Sequence, residues 1–476
     1  MVPVGFHPLA DEWSDIAYRE KTVGIPEGQP ILLSSAAIDY RLGDYFREAF
    51  PADRGSTART YASELRTWFR FLDRRSLTWD EAGRNDVRAF QVWRVYDDRN
   101  PRPVSAATWN KGWAALRHFY GWAHRRGLVQ EDPVGDRDRL RDPLRATGYR
   151  EKNSRSSRNR WILPSEFSLW REVGFRSYFA GRDSSGRVVA TTVDEWARSR
   201  NGLRNSAFAN YLITTGLRLN EAGSLLRMEI PSQVDEEMPI VVKGGKRRHY
   251  RVLNKLGLLG VDAYLADRAA AVRTSQRAGR YERVPNRLEI VRTHGSMGDQ
   301  SVQLTDGRVL KVTDMRQADR IRLYFRDGAL LEPAWLWLTE AGIPMNPASW
   351  GKVFAAANER VTTARAALGI SSPGVKVTPH SLRFTFALIV LLAGVRAIDE
   401  EMGIGKAGAF FVRNYTQAFD EVQHLLGHNS PETTRSIYLE PLKGLRRSSL
   451  LSGVTLDEMW AGLVVPGSLV GFGSAA

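Results

Sequence analysis

Cysteine is absent from the 476 residues. Disulfides, thiolate nucleophiles, cysteine-ligated zinc and iron–sulfur clusters are therefore excluded. Long apolar runs are missing as well. The longest, Phe386 to Val395 (FALIVLLAGV), is ten residues, about half of the ~20 that a membrane-spanning helix needs, and it reads as a buried core helix. The opening MVPVGFHPLADEWSD has no basic stretch followed by an apolar one, so no secretory leader is expected and the sequence reads as a soluble, cytoplasmic protein. It also lacks a His-Glu-x-x-His helix, a Walker A loop and an obvious three-carboxylate cluster, and no metal site is expected. Acid is in the minority: 53 Asp and Glu stand against 68 Lys and Arg, a net charge of +15. Such an excess favours a polyanionic partner, nucleic acid ahead of an anionic membrane. With 43% hydrophobic and 25% charged residues the composition is that of a globular protein, and the length fits two or three domains.

Residues 1–34 are punctuated by Pro and Gly and read as an N-terminal extension. Over 35–135 the pattern is helical. Tyr61, Leu65, Phe69 and Leu72 form one apolar stripe, and Trp109, Trp113, Leu116, Phe119, Tyr120 and Ala123 form another. Gly127 is a helix stop, and Asp132-Pro133 closes the unit. The aromatic residues read as core rather than as base-stacking platforms. Residues 136–160 carry nine Lys or Arg against four Asp or Glu. This is either a solvated linker or, as we expect in a basic protein, a basic linker lying against phosphates through Arg155, Arg158 and Arg160. From 161 to 476 helical patterns dominate, over 201–215, 218–228, 255–273, 348–366, 380–395 and 431–439. One hairpin is expected, with PIVV and RRHYRVL flanking a two-residue Gly244-Gly245 turn. Residues 283–328 read as mixed strand and loop.

Three segments carry chemistry. Thr378-Pro379 is a helix start, which puts His380 and Arg383 on one face of the first turn, beside free N–H groups. An imidazole and a planar guanidinium there suit an oxyanion such as phosphate. In Gly216-Leu217-Arg218-Leu219-Asn220-Glu221, Arg218 and Glu221 are three apart. The pair is either a carboxylate steadying a functional guanidinium or a surface ion pair worth little. In Leu425-Leu426-Gly427-His428-Asn429-Ser430-Pro431, Gly427 ends one helix and Ser430-Pro431 starts the next, which carries Tyr438. Gly403 to Gly408 fits G-x-G-x-x-G, but no strand precedes it and a dinucleotide site is not expected.

Taken in order, TTGLRLNE, VVKGGK, HSLR, LLGH and TTRSIY resemble the motifs of the tyrosine recombinase (phage integrase) family. The stretch TWN…LRHFYGWA…GLV…DPV resembles the end of that family's core-binding domain. The resemblance spans roughly 35–445. It implies a mainly α fold: a helical, SAM-like core-binding domain, then a mostly helical catalytic domain with a small β-hairpin, the two forming a C-shaped clamp on double-stranded DNA. It further implies that Tyr438 attacks the scissile phosphate, leaving a 3′-phosphotyrosyl adduct and a 5′-hydroxyl. Arg218 and Arg383 would clamp the non-bridging oxygens, and Lys243 would protonate the leaving oxygen. His380 would assist proton transfer, His428 would donate to the phosphate, and Glu221 would steady Arg218. Lys246 and Arg247 would contact DNA, with Lys246 the substitute for Lys243 if the hairpin register differs. No metal, ATP or other cofactor is implied. The resemblance also implies a homo-tetramer on two DNA sites, with accessory DNA-bending or directionality proteins as further partners.

The chain departs from that pattern in three intervals. Lys243 to His380 and Arg383 to His428 are long, as insertions near 277–330 and 396–420 would make them. His428 to Tyr438 is one residue longer than is common in the family, a change of ~100° in helical phase. A relative of the same fold that binds DNA without cutting it, and a type IB-like topoisomerase, are the alternative readings. The tail 439–476 is expected to hold a short amphipathic helix over Val454 to Val464.

Overall fold

The computed structural model describes residues 2–3, 29–34, 37–50, 56–135, 161–194, 201–241, 247–295, 299–401 and 415–427. Lys243, Lys246, His428 and Tyr438 lie outside the described residues. So do Arg155, Arg158 and Arg160 with the rest of 136–160, the Gly403 to Gly408 segment and the helices expected over 431–439 and 454–464. The chain divides into two compact units, Met1–Arg158 and Asn159–Ala476.

In the first unit, short strands β1 (Val2–Pro3) and β2 (Pro30–Ile31) pair antiparallel, as do β3 (Leu33–Ser34) and β4 (Ala37–Ile38). β1, β2 and β3 lie in the segment read as an extension and β4 in the stretch expected to be helical, and Leu32, between β2 and β3, is buried in the helical core. Four helices follow: α1 (Tyr40–Ala49), α2 (Ser56–Asp73), α3 (Arg84–Val95) and α4 (Ala106–Arg125). Asp39 caps α1 by accepting from the Arg41 N–H, 3.0 Å, and Ser105 caps α4. The two apolar stripes face each other. Leu65, Trp68, Phe69 and Leu72 of α2 lie buried with Trp109, Leu116, Phe119 and Tyr120 of α4. The Tyr120 hydroxyl has a partner on each side: it accepts from Trp68 Nε1 at 2.9 Å and donates to the Trp79 carbonyl at 2.8 Å. The aromatic residues are thus core, held by ring packing and by hydrogen bonds that satisfy their polar tips.

The second unit begins with α5 (Pro164–Phe175) and a hairpin, β5 (Tyr178–Arg182) and β6 (Val188–Val193). At its centre is α6 (Gly202–Thr215), buried on nearly every side, as a helix surrounded by others must be. Phe208 of α6 stacks on Trp350, with ring centroids 3.6 Å apart, and meets Trp337 edge-on. Then come the short α7 (Leu219–Gly223), strands β7 (Met238–Val241) and β8 (Arg247–Tyr250), and the long α8 (Lys255–Arg277).

Most of the segment expected as an insertion forms a five-stranded sheet: β9 (Leu288–His294), β10 (Ser301–Leu304), β11 (Val309–Lys311), β12 (Leu323–Asp327) and β13 (Leu330–Pro333), with α9 (Gln317–Arg320) before β12. The spatial order is β11-β10-β9-β12-β13, antiparallel except for the parallel pair β9 and β12. The unit continues with α10 (Trp350–Ala367), α11 (Pro379–Glu401) and α12 (Thr416–Leu426). No described helix is long and apolar enough to cross a membrane. FALIVLLAGV is the buried middle of α11.

Two local expectations are corrected. The helix expected over 218–228 stops at Gly223 and is followed by a 3-10 turn, Arg227–Glu229. Leu225 and Leu226 are both buried, and Leu226 bridges to Trp335, while the Ala222 carbonyl accepts from Trp337 Nε1 at 2.7 Å. Tertiary partners take the backbone groups that a longer helix would have used. In the hairpin, Val241 pairs with Arg247. A two-residue Gly244-Gly245 turn would set Val241 opposite Arg248, so the strands are one residue off that register.

Candidate active site

Arg218 is placed by a forced break in the chain. Helix α6 ends at Gly216, whose φ of 61° is left-handed. A Cβ there would lie 2.3 Å from the Phe386 ring of α11, so both conformation and space require glycine. Leu217 turns into the core, and Arg218 becomes the N-cap residue of α7. Glu221, three residues on, then acts twice. Its Oε2 accepts from the Arg218 backbone N–H at 2.8 Å, as in a capping box, and its Oε1 accepts from Arg218 Nη1 at 2.8 Å. Glu221 is buried, whereas the Arg218 side chain is 44% exposed. This is a buried carboxylate holding a solvent-facing guanidinium, not an ion pair exposed on both sides.

Glu221 has a second cation. Arg248 of β8 donates from Nη2 to Glu221 Oε2 at 2.6 Å. Burial by itself would raise the Glu221 pKa; the Arg248 charge and the hydrogen bonds from Arg218 and Arg248 outweigh it and hold the carboxyl below its ordinary range.

Helix α11 starts as expected. The Ser381 N–H donates to Thr378 Oγ1 at 3.0 Å, the Thr378 N–H donates to Ser381 Oγ at 2.8 Å, and Pro379 occupies the first turn. His380 is exposed on that turn. Partial desolvation against the protein, and then the neighbouring Arg383 charge, hold its imidazole below the usual value. Arg383 is buried. Its Nη1 donates to the Gly216 carbonyl and its Nη2 to the Leu426 carbonyl. The residue after each of these two acceptors leads directly into a motif: Leu217 before Arg218, and Gly427 before His428.

Helix α12 closes the arrangement. Gly427 caps it with φ 62°, and a Cβ there would lie 2.6 Å from Arg248 Cδ. Its last carbonyls take three arginines from three parts of the chain. Leu425 O accepts from Arg248 Nη1 at 2.8 Å, Leu426 O from Arg383 Nη2, and Gly427 O from Arg218 Nη2 at 3.4 Å. Helix C-terminal carbonyls carry partial negative charge and lack intrahelical donors, so they are natural acceptors for cations.

Among the described residues, then, the structure brings together Arg218, Glu221 and Arg383, with His380 one turn from Arg383. Arg247 stands on the exposed side of β8 and forms an ion pair with Asp314, between β11 and α9. Arg248 was not singled out from the sequence. The signal was the strand's alternation: Tyr250 faces the core, so Arg248, two residues earlier, shares its face. Among the described residues, no group of three His, Asp or Glu could hold a metal ion.

Residues 44–127 match the family described as phage integrase, N-terminal SAM-like domain. The match covers the helices of the first unit, from within α1 to the end of α4. No curated protein matches the chain. Among solved structures, similarity extends to the Tn1549 transposon integrase in complex with circular intermediate DNA, at 11% identity over 86% of this chain and 99% of that one, TM-score 0.39. It extends also to the XerH site-specific recombinase bound to difH, at 14% identity over 91% and 94%, TM-score 0.40. A lambda integrase dimer bound to a COC′ core site is similar at 13% identity over 84% and 95%, TM-score 0.41.

Proposed function

We propose that the chain is a site-specific DNA recombinase, or integrase, that cuts and rejoins double-stranded DNA through a 3′-phosphotyrosyl intermediate, without metal or ATP. The observation that carries this reading is the meeting of Arg218 and Arg383, from motifs far apart in sequence, at the end of the helix that leads into His428. Residues that only decorated a surface would have no reason to converge on one helix terminus. The phage integrase domain over 44–127 supports DNA as the partner, and the net charge of +15 agrees with it.

In this reading Tyr438 is the nucleophile. A phenol has a pKa near ~10, so it needs a proton acceptor and nearby positive charge to attack at neutral pH. His380, kept largely neutral, supplies the acceptor. Arg218 meets the non-bridging oxygens from the solvent side, and Arg383 supports them from beneath. The charge that develops in the pentacoordinate transition state falls among these cations and His428, while Lys243 gives a proton to the leaving 5′-oxygen. The phosphotyrosyl bond conserves the energy of the phosphodiester, so rejoining needs no added energy source. Two DNA sites held by four subunits, with accessory proteins setting direction, complete the proposal.

The test is covalent trapping. Protein is mixed in EDTA with nicked duplexes tiled across the DNA flanking its own gene, and SDS-resistant adducts are mapped by mass spectrometry. An adduct on Tyr438, absent from Tyr438→Phe although that variant still binds DNA, is the expected result. An adduct that survives Tyr438→Phe would overturn the nucleophile assignment. DNA binding with no adduct on any duplex would favour the non-cutting relative.

A further inference from the structure

The Arg218 guanidinium depends on Glu221, and Glu221 depends on Arg248. Arg248 comes from β8, 27 residues later, and its side chain is 10% exposed. Its three nitrogens are used unevenly. Nη2 meets Glu221 Oε2, and Nη1 meets the Leu425 carbonyl at the end of α12. Nε is buried with no hydrogen-bond partner among the described residues. An unpaired buried donor is costly, and an apolar side chain of similar volume at such a site is often no worse for stability. An arginine chosen for packing alone is therefore a poor explanation of this position. Gly427 adds a second constraint, since any side chain there would collide with Arg248 Cδ.

We infer that Arg248 is a positioning residue: it joins the β7–β8 hairpin, the Glu221 carboxylate and the last turn of α12, and so orients Arg218 only when all three are docked. This rests on the recombinase reading above, in which Arg218 faces the phosphate. The physical link is short. With Arg248 present, Glu221 is ionised and accepts twice from Arg218. Without it, Glu221 is a buried carboxylate supported by Arg218 alone, and burial drives it toward the protonated form. A neutral Glu221 holds the guanidinium less firmly, and Arg218 can leave the position in which it serves the reaction. Among the described residues, the charged groups facing Glu221 are Arg218 from its own turn and Arg248 from β8. Arg383 of α11 approaches from behind Gly216, and α12 contributes its terminal carbonyls.

The test compares Arg248→Met, Arg248→Lys and Glu221→Gln with the wild-type chain in two measurements. The first needs no DNA cleavage. Glutamate side-chain carboxyl carbons are titrated by NMR, with the Glu221 signal assigned by its loss in Glu221→Gln. The Glu221 midpoint should rise in Arg248→Met and return toward the wild-type value in Arg248→Lys, which restores charge but only one donor site. An unmoved midpoint in folded Arg248→Met would overturn the inference whether or not the chain cuts DNA. The second is the rate of adduct formation from pH 5 to 8. Arg248→Met should bind DNA within about twofold of wild type and form adduct at least tenfold more slowly, with its acid limb shifted to higher pH. Arg248→Lys should be partly rescued. Should Arg248→Met fail to fold, Glu221→Gln serves instead, and its slowed cleavage should show no acid limb from this group. Wild-type rates for both Arg248→Lys and Glu221→Gln across the range would overturn the inference. A wild-type chain that never forms adduct would count against the recombinase reading alone, and the titration would still decide the role of Arg248.

Discussion

Arg383 donates to the carbonyl oxygen of Gly216, 167 positions earlier in the chain. That contact sits at the left-handed turn from which Arg218 emerges. The other end of the Arg383 guanidinium holds the Leu426 carbonyl. One buried side chain therefore fixes the backbone on both sides of the candidate site. Replacing it should damage stability and chemistry together. Arg383→Ala leaves two buried carbonyls short of donors, at about 1–3 kcal/mol each, so the thermal midpoint should fall clearly. Arg383→Lys should recover part of the stability, yet adduct formation should stay ~10²–10³-fold slow, as for loss of one oxyanion donor. Calorimetry and trapping on the same preparations separate the two effects.

Gly216→Ala tests the turn itself. The left-handed backbone costs a residue with a Cβ about 1–2 kcal/mol, and the Phe386 ring occupies the space the methyl needs. The variant should be destabilised beyond the backbone cost alone and should cut poorly, because α7 and Arg218 must shift. Gly216→Ala combined with Phe386→Leu should regain some stability. If Gly216→Ala melts with the wild type, the close approach of α6 and α11 at this point is wrong.

His380 sets an acid limit. Its imidazole is held below the usual value by partial desolvation first and by Arg383 second. The neutral form, which accepts a proton, therefore persists to lower pH than in a free histidine of pKa ~6.5. Adduct formation limited by this group should fall as pH drops through the lowered value, not through ~6.5. A proton-NMR titration of the His380 ring gives the same midpoint independently, and His380→Asn should remove that limb while lowering the rate.

The basic segment 136–160 bears on binding, not cleavage. If Arg155, Arg158 and Arg160 lie on phosphates, neutralising all three should flatten the dependence of log affinity on log salt by about 0.9 per lost contact. An unchanged slope would mean that these side chains do not touch the backbone of DNA.

Much of this was readable in order along the chain. The helix ends at Gly127, Gly216 and Gly427 were marked by glycine, and the start of α11 by Thr378-Pro379, because capping is local chemistry with local signals. The aromatic core of the first unit was announced by helical spacing. Departures arose where distant partners compete for backbone groups. Helix α7 is short because Trp337, more than a hundred residues later, takes its Ala222 carbonyl. The hairpin register likewise depends on which strand face the core accepts, not on the Gly-Gly pair.

The sequence by itself determined the inventory: no cysteine chemistry, an excess of positive charge, two arginines and a histidine at helix boundaries, and their order along the chain. Tertiary structure alone decided their relations. Whether Glu221 was a surface partner or a buried clamp could not be read from a three-residue spacing, since both readings share it. Arg248 was one of several basic residues in a strand until packing placed it against Glu221 and α12. Local sequence sets backbone geometry through sterics and capping, whereas burial and long-range hydrogen bonding, and with them the state of each charge, exist only once separate segments exclude water from one another.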